Sequence, residues 1–505
     1  MQWSSSSWFR RKPASMLIHE MNDDEGERLN RRLGPLSLIA LGVGATIGSG
    51  LYVQTGIVAR EVAGPSLMLS FLVAAVGCGF AALCYSELAS MVPVAGSAYT
   101  YAYTTLGELV AWIIGWDLIL EYAIGSCFVA SGWSGYFDSM LQHVFKIHLD
   151  PRLLDSPWKH DMDLGFMTRL VPLADGSQAM AWFNLPAVII TTIVTVVLVI
   201  GIRESAGFNA AMVLLNLGVV LTVVGAGAAY VDPANWKPFF HQDHGVRGVA
   251  LGAARIFIAY IGFDSISTHA EEARNPQKDM PIGILGALVI CTGLYVATAA
   301  VLTGMIPYLE ISQAAPLAAA MQAKGLTFAG TLVTFGILAG MTSSLLVGNL
   351  SQPRVLLAMA RDGLLPIRFF GAIHPRFKTP WKSTILVGLV VALGGALAPL
   401  DFLAELVSIG TLFAFVIVSA SVWILRVTDP DLPRPFRVPY VPFVSSMGVL
   451  VNGGLMFWLG KDNWIRLIAW LLVGMTIYLG YSRQHSVLGR STAEADFDPV
   501  PPPDA

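Results

Sequence analysis

Two glycine-rich interruptions stand inside apolar runs. One is Gly44-Ala45-Thr46-Ile47-Gly48-Ser49-Gly50 in the first run; the other is Ala259-Tyr260-Ile261-Gly262-Phe263-Asp264 in the sixth. The chemistry they offer is non-covalent. A helix broken in mid-membrane exposes amides and carbonyls that lipid cannot satisfy, so they face protein or a watery cavity. Gly48 and Gly50 carry no side chain, so a ligand can approach the backbone closely. Where the helix restarts, free N–H groups favour an anion such as a carboxylate, and Thr46 and Ser49 add hydroxyls. In the sixth run Ile258, Ala259 and Ile261 close one half-helix. Asp264 opens the next, where it either caps amides or faces an ammonium. Gly44 and Gly48 also satisfy GxxxG spacing, which packs helices.

Further polar groups lie in apolar runs. Asp117 and Glu121 are four apart, share a helix face, and are flanked by Trp112, Trp116 and Tyr122. Glu121 suits a proton site or a contact to a basic side chain; the alternative is a helix-to-helix hydrogen bond. Asn216 lies in the fifth run, and Ser343 and Ser344 follow Gly340-Met341 in the eighth. If these meet beside Gly44 at the first break, they make either a sodium site of carbonyl and hydroxyl oxygens or a neutral network. Ile258 and Met341 are candidate apolar walls.

These groups need a membrane scaffold. The chain has 505 residues, 55% hydrophobic and 13% charged, against the quarter or so charged in soluble domains. Twelve helices are expected near 36–60, 66–91, 98–137, 185–202, 208–231, 250–270, 281–306, 326–359, 383–400, 402–427, 441–460 and 464–482. The third and eighth exceed one straight span and are expected to tilt or protrude. Arg361, Arg368, Arg376, Lys378 and Lys382 after the eighth, and Arg426, Arg434 and Arg437 after the tenth, put both termini in the cytoplasm. The 138–183 segment then lies outside, with a short helix expected over the outer mouth. Residues 1–35 read as a cytoplasmic arm and 483–505 as a tail, disordered from 491. Cys78, Cys84, Cys127 and Cys291 fall in apolar runs and read as reduced.

The breaks are about five spans apart, so 36–231 and 250–427 are expected to be inverted five-helix repeats, with 441–482 as two extra spans. The class is an all-α polytopic membrane protein. The expected activity is transport, with an ion channel or an amino-acid-sensing receptor as rivals. No histidine metal cluster or Ser-His-Asp motif supports an enzyme. No cofactor, metal or nucleic acid is expected, lipid is the surrounding partner, and nothing points to a particular accessory subunit.

Several stretches carry a resemblance. They are Gly42 to Gly50, Gly115-Trp116-Asp117-Leu118-Ile119-Leu120-Glu121-Tyr122, Tyr260 to Ile284, Gln352-Pro353-Arg354 with Met359 to Pro366, Leu406 to Leu412, and Arg434-Pro435-Phe436-Arg437-Val438-Pro439. Together they resemble the amino acid–polyamine–organocation superfamily, in its cationic amino acid transporter branch. The resemblance implies a LeuT-like fold working by alternating access at the cytoplasmic membrane. It implies that Ile47, Gly48, Ser49 and Gly50 meet a substrate carboxylate. Ile258, Ala259 and Ile261 would meet its amine and side chain, and Asp264 and Glu121 match the family's acids. It favours arginine, lysine or ornithine, with small neutral amino acids as the alternative. Proton-coupled members carry a fifth-span lysine where this chain has Asn216. Coupling is then expected through Glu121 or Asp264, through a retained ion such as sodium, or is replaced by exchange.

Overall fold

The computed structural model describes residues 10–11, 33–91, 98–161, 165–173, 176–201, 206–263, 266 and 273–490. Helix α1 (Pro35–Thr46) starts on a proline and stops where Ile47 turns extended, at φ −75° and ψ 106°. The chain resumes in wide π-type turns at Gly50–Gln54, a short α2 (Thr55–Val58), and a second π stretch at Ala59–Ala63. Then come α3 (Leu67–Met91), α4 (Ala98–Thr105) and α5 (Glu108–Met140). After a long loop follow α6 (Leu185–Ile200), α7 (Ala206–Ala228) and α8 (Arg247–Ile256). A tight turn at Phe257–Tyr260 ends α8 at the second break. The rest comprises α9 (Pro276–Met305), α10 (Pro316–Ala323), α11 (Thr327–Arg361), α12 (Ile367–Phe370), α13 (Trp381–Leu397), α14 (Leu400–Thr428), α15 (Val441–Trp458), α16 (Lys461–Ile477) and the single turn α17 (Arg483–His485). Eight described helical stretches are long and apolar enough to cross a membrane, and α1, α6 and α13 are apolar but shorter.

Two expectations change, at the third apolar run and in the long loop, while the eighth run keeps its expected excess length. The third apolar run is two helices, because the chain turns at Leu106 and Gly107 (φ 98°) between α4 and α5. The eighth is one unbroken 35-residue helix, about 50 Å at 1.5 Å per residue. The long loop carries two antiparallel hairpins rather than a helix: β1 (Trp158–Asp161) with β2 (Gly165–Thr168), and β3 (Leu170–Pro172) with β4 (Gln178–Met180). Its described helical parts are only the turns Leu141–Phe145 and Pro151–Leu153. The cause is alternating burial along β2, β3 and β4, a period of two that a helix cannot satisfy.

Helices α5, α11 and α14 pack side by side around the two breaks, and α9 backs both α1 and α3. Trp116 stacks on Trp470 of α16 with ring centroids 4.5 Å apart, and each indole donates to the other's carbonyl. Buried ion pairs staple the ends of the bundle. Near the α3 C-terminus, Glu87 accepts two bonds from Arg426 at 2.7 and 2.9 Å, with Arg434 3.3 Å away. At the opposite end of α14, Glu405 accepts from Arg255 at 2.9 Å and Asn463 at 3.0 Å. His160 of β1 reaches this second cluster and accepts from Arg466 at 2.9 Å. Desolvation holds the His160 imidazole below its ordinary titration range, against an upward pull from Glu405.

Candidate functional site

The two breaks touch reciprocally. A Cβ on Gly50 would meet the Cα of Ala259 and stand 2.7 Å from its backbone nitrogen. A Cβ on Gly262 would stand 2.6 Å from the Ala45 carbonyl oxygen, and Gly262 has φ +122°. Each break therefore lies on the backbone of the other, at a distance only glycine permits. Tyr295 of α9 joins them from behind. Its hydroxyl is 2.9 Å from the Thr46 carbonyl and 2.8 Å from the Ala259 carbonyl, near the last turn before each break.

Beyond the first break, Leu51 and Tyr52 both donate their N–H groups to the Gly48 carbonyl at 3.0 Å. The amides of Gly48, Ser49 and Gly50 thus precede the first hydrogen-bonded turn, the position that suits an anion. The π stretch that follows is held by Tyr136, whose hydroxyl donates to the Tyr52 carbonyl at 2.6 Å.

A cavity of about 130 Å³ opens at this crossing. The first break supplies Ala45, Thr46, Gly48, Ser49 and Gly50, and the second supplies Ile258 and Ile261. Helix α5 contributes Glu121, Tyr122, Gly125, Ser126, Phe128 and Val129; α11 contributes Ser344 and Gly348; α14 contributes Val407. Of the residues singled out from sequence, Thr46, Gly48, Ser49, Gly50, Glu121, Tyr122, Ile258, Ile261 and Ser344 come together here.

The others sit elsewhere. Ile47, Ala259 and Met341 are fully buried behind the wall, and Met341 packs against Gly132 of α5. Gly44 meets Val213 of α7, a close approach of the kind that packs helices. Ser343 is half-buried and outside the cavity wall. Asp264 lies outside the described residues. Asn216 does meet α11, where Gly340 leaves room for its side-chain amide. The Tyr52 hydroxyl donates to Asn216 Oδ1 at 3.1 Å, a neutral contact.

A family model for amino acid permeases matches residues 33–478. The chain belongs to the amino acid permease family. It is 44% identical to a branched-chain amino acid permease of Bacillus subtilis, over 96% of this chain and 99% of that one. It is 41% identical to a methylthioribose transporter of the same organism, over 96% of this chain and all of that one. A vacuolar cationic amino acid transporter of Arabidopsis thaliana is 30% identical, over 96% of this chain and 97% of that one. These relatives are transporters, as expected, and not enzymes.

Several residues that build the permease's cavity were missed from sequence. Gly125, Phe128 and Val129 follow Glu121 at four, seven and eight positions, the helical spacing that marks one face. That spacing alone puts them on the Glu121 face. Tyr295 carries no such signal, since only the tertiary fold brings it to both breaks. Tyr295→Phe is expected to destabilise the permease by about 1–3 kcal/mol, the cost of stranding buried acceptors. Tryptophan-fluorescence melting of the detergent-purified variant checks this, and an unchanged midpoint would remove the bridge from the account.

Proposed function

We propose that this permease carries a neutral amino acid with a branched apolar side chain across the plasma membrane by alternating access. The observation that carries the reading is the apolar girdle of the cavity, formed by Ile258, Ile261, Phe128, Val129 and Val407. A leucine- or valine-like side chain gains roughly 1.5–3 kcal/mol by burial in such surroundings. Its carboxylate lies at the amides of Gly48, Ser49 and Gly50. Its ammonium lies at the end of the 258–261 half-helix. The 44% identity to a branched-chain permease supports the same choice.

A second reading, a cationic substrate, is favoured by one residue. Glu121 offers a carboxylate on the cavity wall, and the Arabidopsis relative is named for cationic transport.

The architecture in this proposal has twelve spans, with 36–231 and 250–427 as inverted repeats and both termini cytoplasmic. The reciprocal crossing of the breaks supports that symmetry, because each restart lies on the other's ending. Asn216 and Tyr52 keep the fifth-span position neutral, so a proton that drives transport has to be held elsewhere, and sodium is the alternative driver.

Uptake of radiolabelled leucine into proteoliposomes tests the substrate, with unlabelled valine, alanine, arginine and lysine as competitors. Valine is expected to compete and arginine not to. Strong competition by arginine and lysine, with none by valine, would replace the first reading with the second.

A further inference from the structure

Most buried carboxylates described above are committed to partners. Glu87 is held by Arg426 and Arg434, and Glu405 by Arg255 and Asn463. Glu108 accepts from Tyr478 at 3.0 Å and also from Ser486. Asp117 differs. It is 0% exposed, and neither carboxyl oxygen has a hydrogen-bond partner among the described residues. Its surroundings are Gly410 of α14, where a Cβ would stand 3.1 Å from Oδ1, and the packed interior of α5. Among the described residues no lysine, arginine or histidine pairs with it. The nearest acid along α5 is Glu121. On α14, Glu405 lies five residues before Gly410 and is taken by Arg255.

Position gives this group a use. Glu121 and Val407 both line the cavity. Asp117 lies four residues before Glu121 on α5, and Gly410 lies three residues after Val407 on α14. One seam between α5 and α14 therefore runs from the cavity wall to the Asp117 carboxyl, about 6 Å at 1.5 Å per residue. A bare carboxylate in that seam, without donor or cation, costs several kcal/mol or more, whereas a neutral acid costs far less.

We propose that Asp117 is a proton-binding site of the permease, occupied by a proton in this conformation. It gives the proton up when α5 and α14 part and water from the cavity enters the seam. The O–H bond of the acid breaks, the electron pair stays on the carboxylate, and the proton passes to that water. Opposite movement reloads it. The site's link to substrate movement rests on the transport reading above; its protonation does not.

Infrared difference spectroscopy of the reconstituted protein tests it. The expected result is a carbonyl band of a protonated carboxyl that shifts in heavy water and is missing in Asp117→Asn. Gly410→Ala serves as a second variant, because its methyl crowds Oδ1 and moves the band without removing it. In proteoliposomes, Asp117→Asn is expected to lose stimulation by an inward proton gradient while keeping exchange against internal amino acid. Identical spectra from the parent, Asp117→Asn and Gly410→Ala in the protonated-carboxyl region would overturn the proposal. A persistent band together with parent uptake indifferent to the gradient would uphold the proton site and overturn its coupling to transport.

Discussion

Gly50→Ala is expected to abolish uptake, while Gly48→Ala keeps a measurable part of it. The two glycines lie two residues apart in the same break, yet their surroundings differ. The added methyl at Gly50 would strike the Ala259 backbone, with the Ile258 carbonyl carbon 3.0 Å away. Backbone cannot swing aside, so the breaks are forced apart at a cost of about 1–3 kcal/mol, typical of overpacking. At Gly48 the same methyl meets only Ser344 Oγ at 3.5 Å, an ordinary contact. Gly48→Leu is a different matter, because its side chain occupies a cavity of only about 130 Å³. The expected order of leucine uptake in proteoliposomes is parent, Gly48→Ala, then Gly48→Leu and Gly50→Ala near background. Parent-like flux from Gly50→Ala would show that the breaks do not need this contact.

Glu405→Leu should be the most destabilising single change at the α14 end carrying Glu405. Arg255 is 8% exposed and Glu405 is 1% exposed, so removing the acid takes away the shorter of the guanidinium's two ion pairs and leaves it only the more exposed Glu61, 3.6 Å away. Breaking such a pair costs about 3–5 kcal/mol, whereas replacing both members with apolar residues is often neutral. The double variant Arg255→Met/Glu405→Leu is therefore expected to melt above the single one in detergent. Equal melting of the two would mean that stranded charge is not the cause. His160 adds a pH dependence of known sign. Its native titration lies below its unfolded one, near 6.5, so below that pH the unfolded chain binds more protons. The His160 contribution to stability is then present above about pH 6.5 and is lost as pH falls.

The glycines of both breaks were legible because a backbone that approaches another backbone leaves no room for a side chain. That rule does not separate ligand from neighbour. Gly48 and Gly50 face the cavity region, whereas Gly44 faces Val213. Ile47 and Ala259, expected at the substrate carboxylate and amine, and Met341, a candidate wall of the unbroken α11, are buried outside the cavity lining. Near a break the helical period is lost, so sequence does not say which side a residue takes. Asn216 and Gly340 meet through a contact between distant spans, which no local pattern encodes. The hairpins of the long loop are not legible because β2 has four residues and β3 three, too few for a period of two to stand out.

Tyr295 has one hydroxyl hydrogen and two carbonyls within reach. Such a group works as a bearing rather than a bolt. When one unwound segment slides past the other, the hydrogen can pass from the Thr46 carbonyl to the Ala259 carbonyl with little rotation. The centre of the molecule can then change shape without losing its donor.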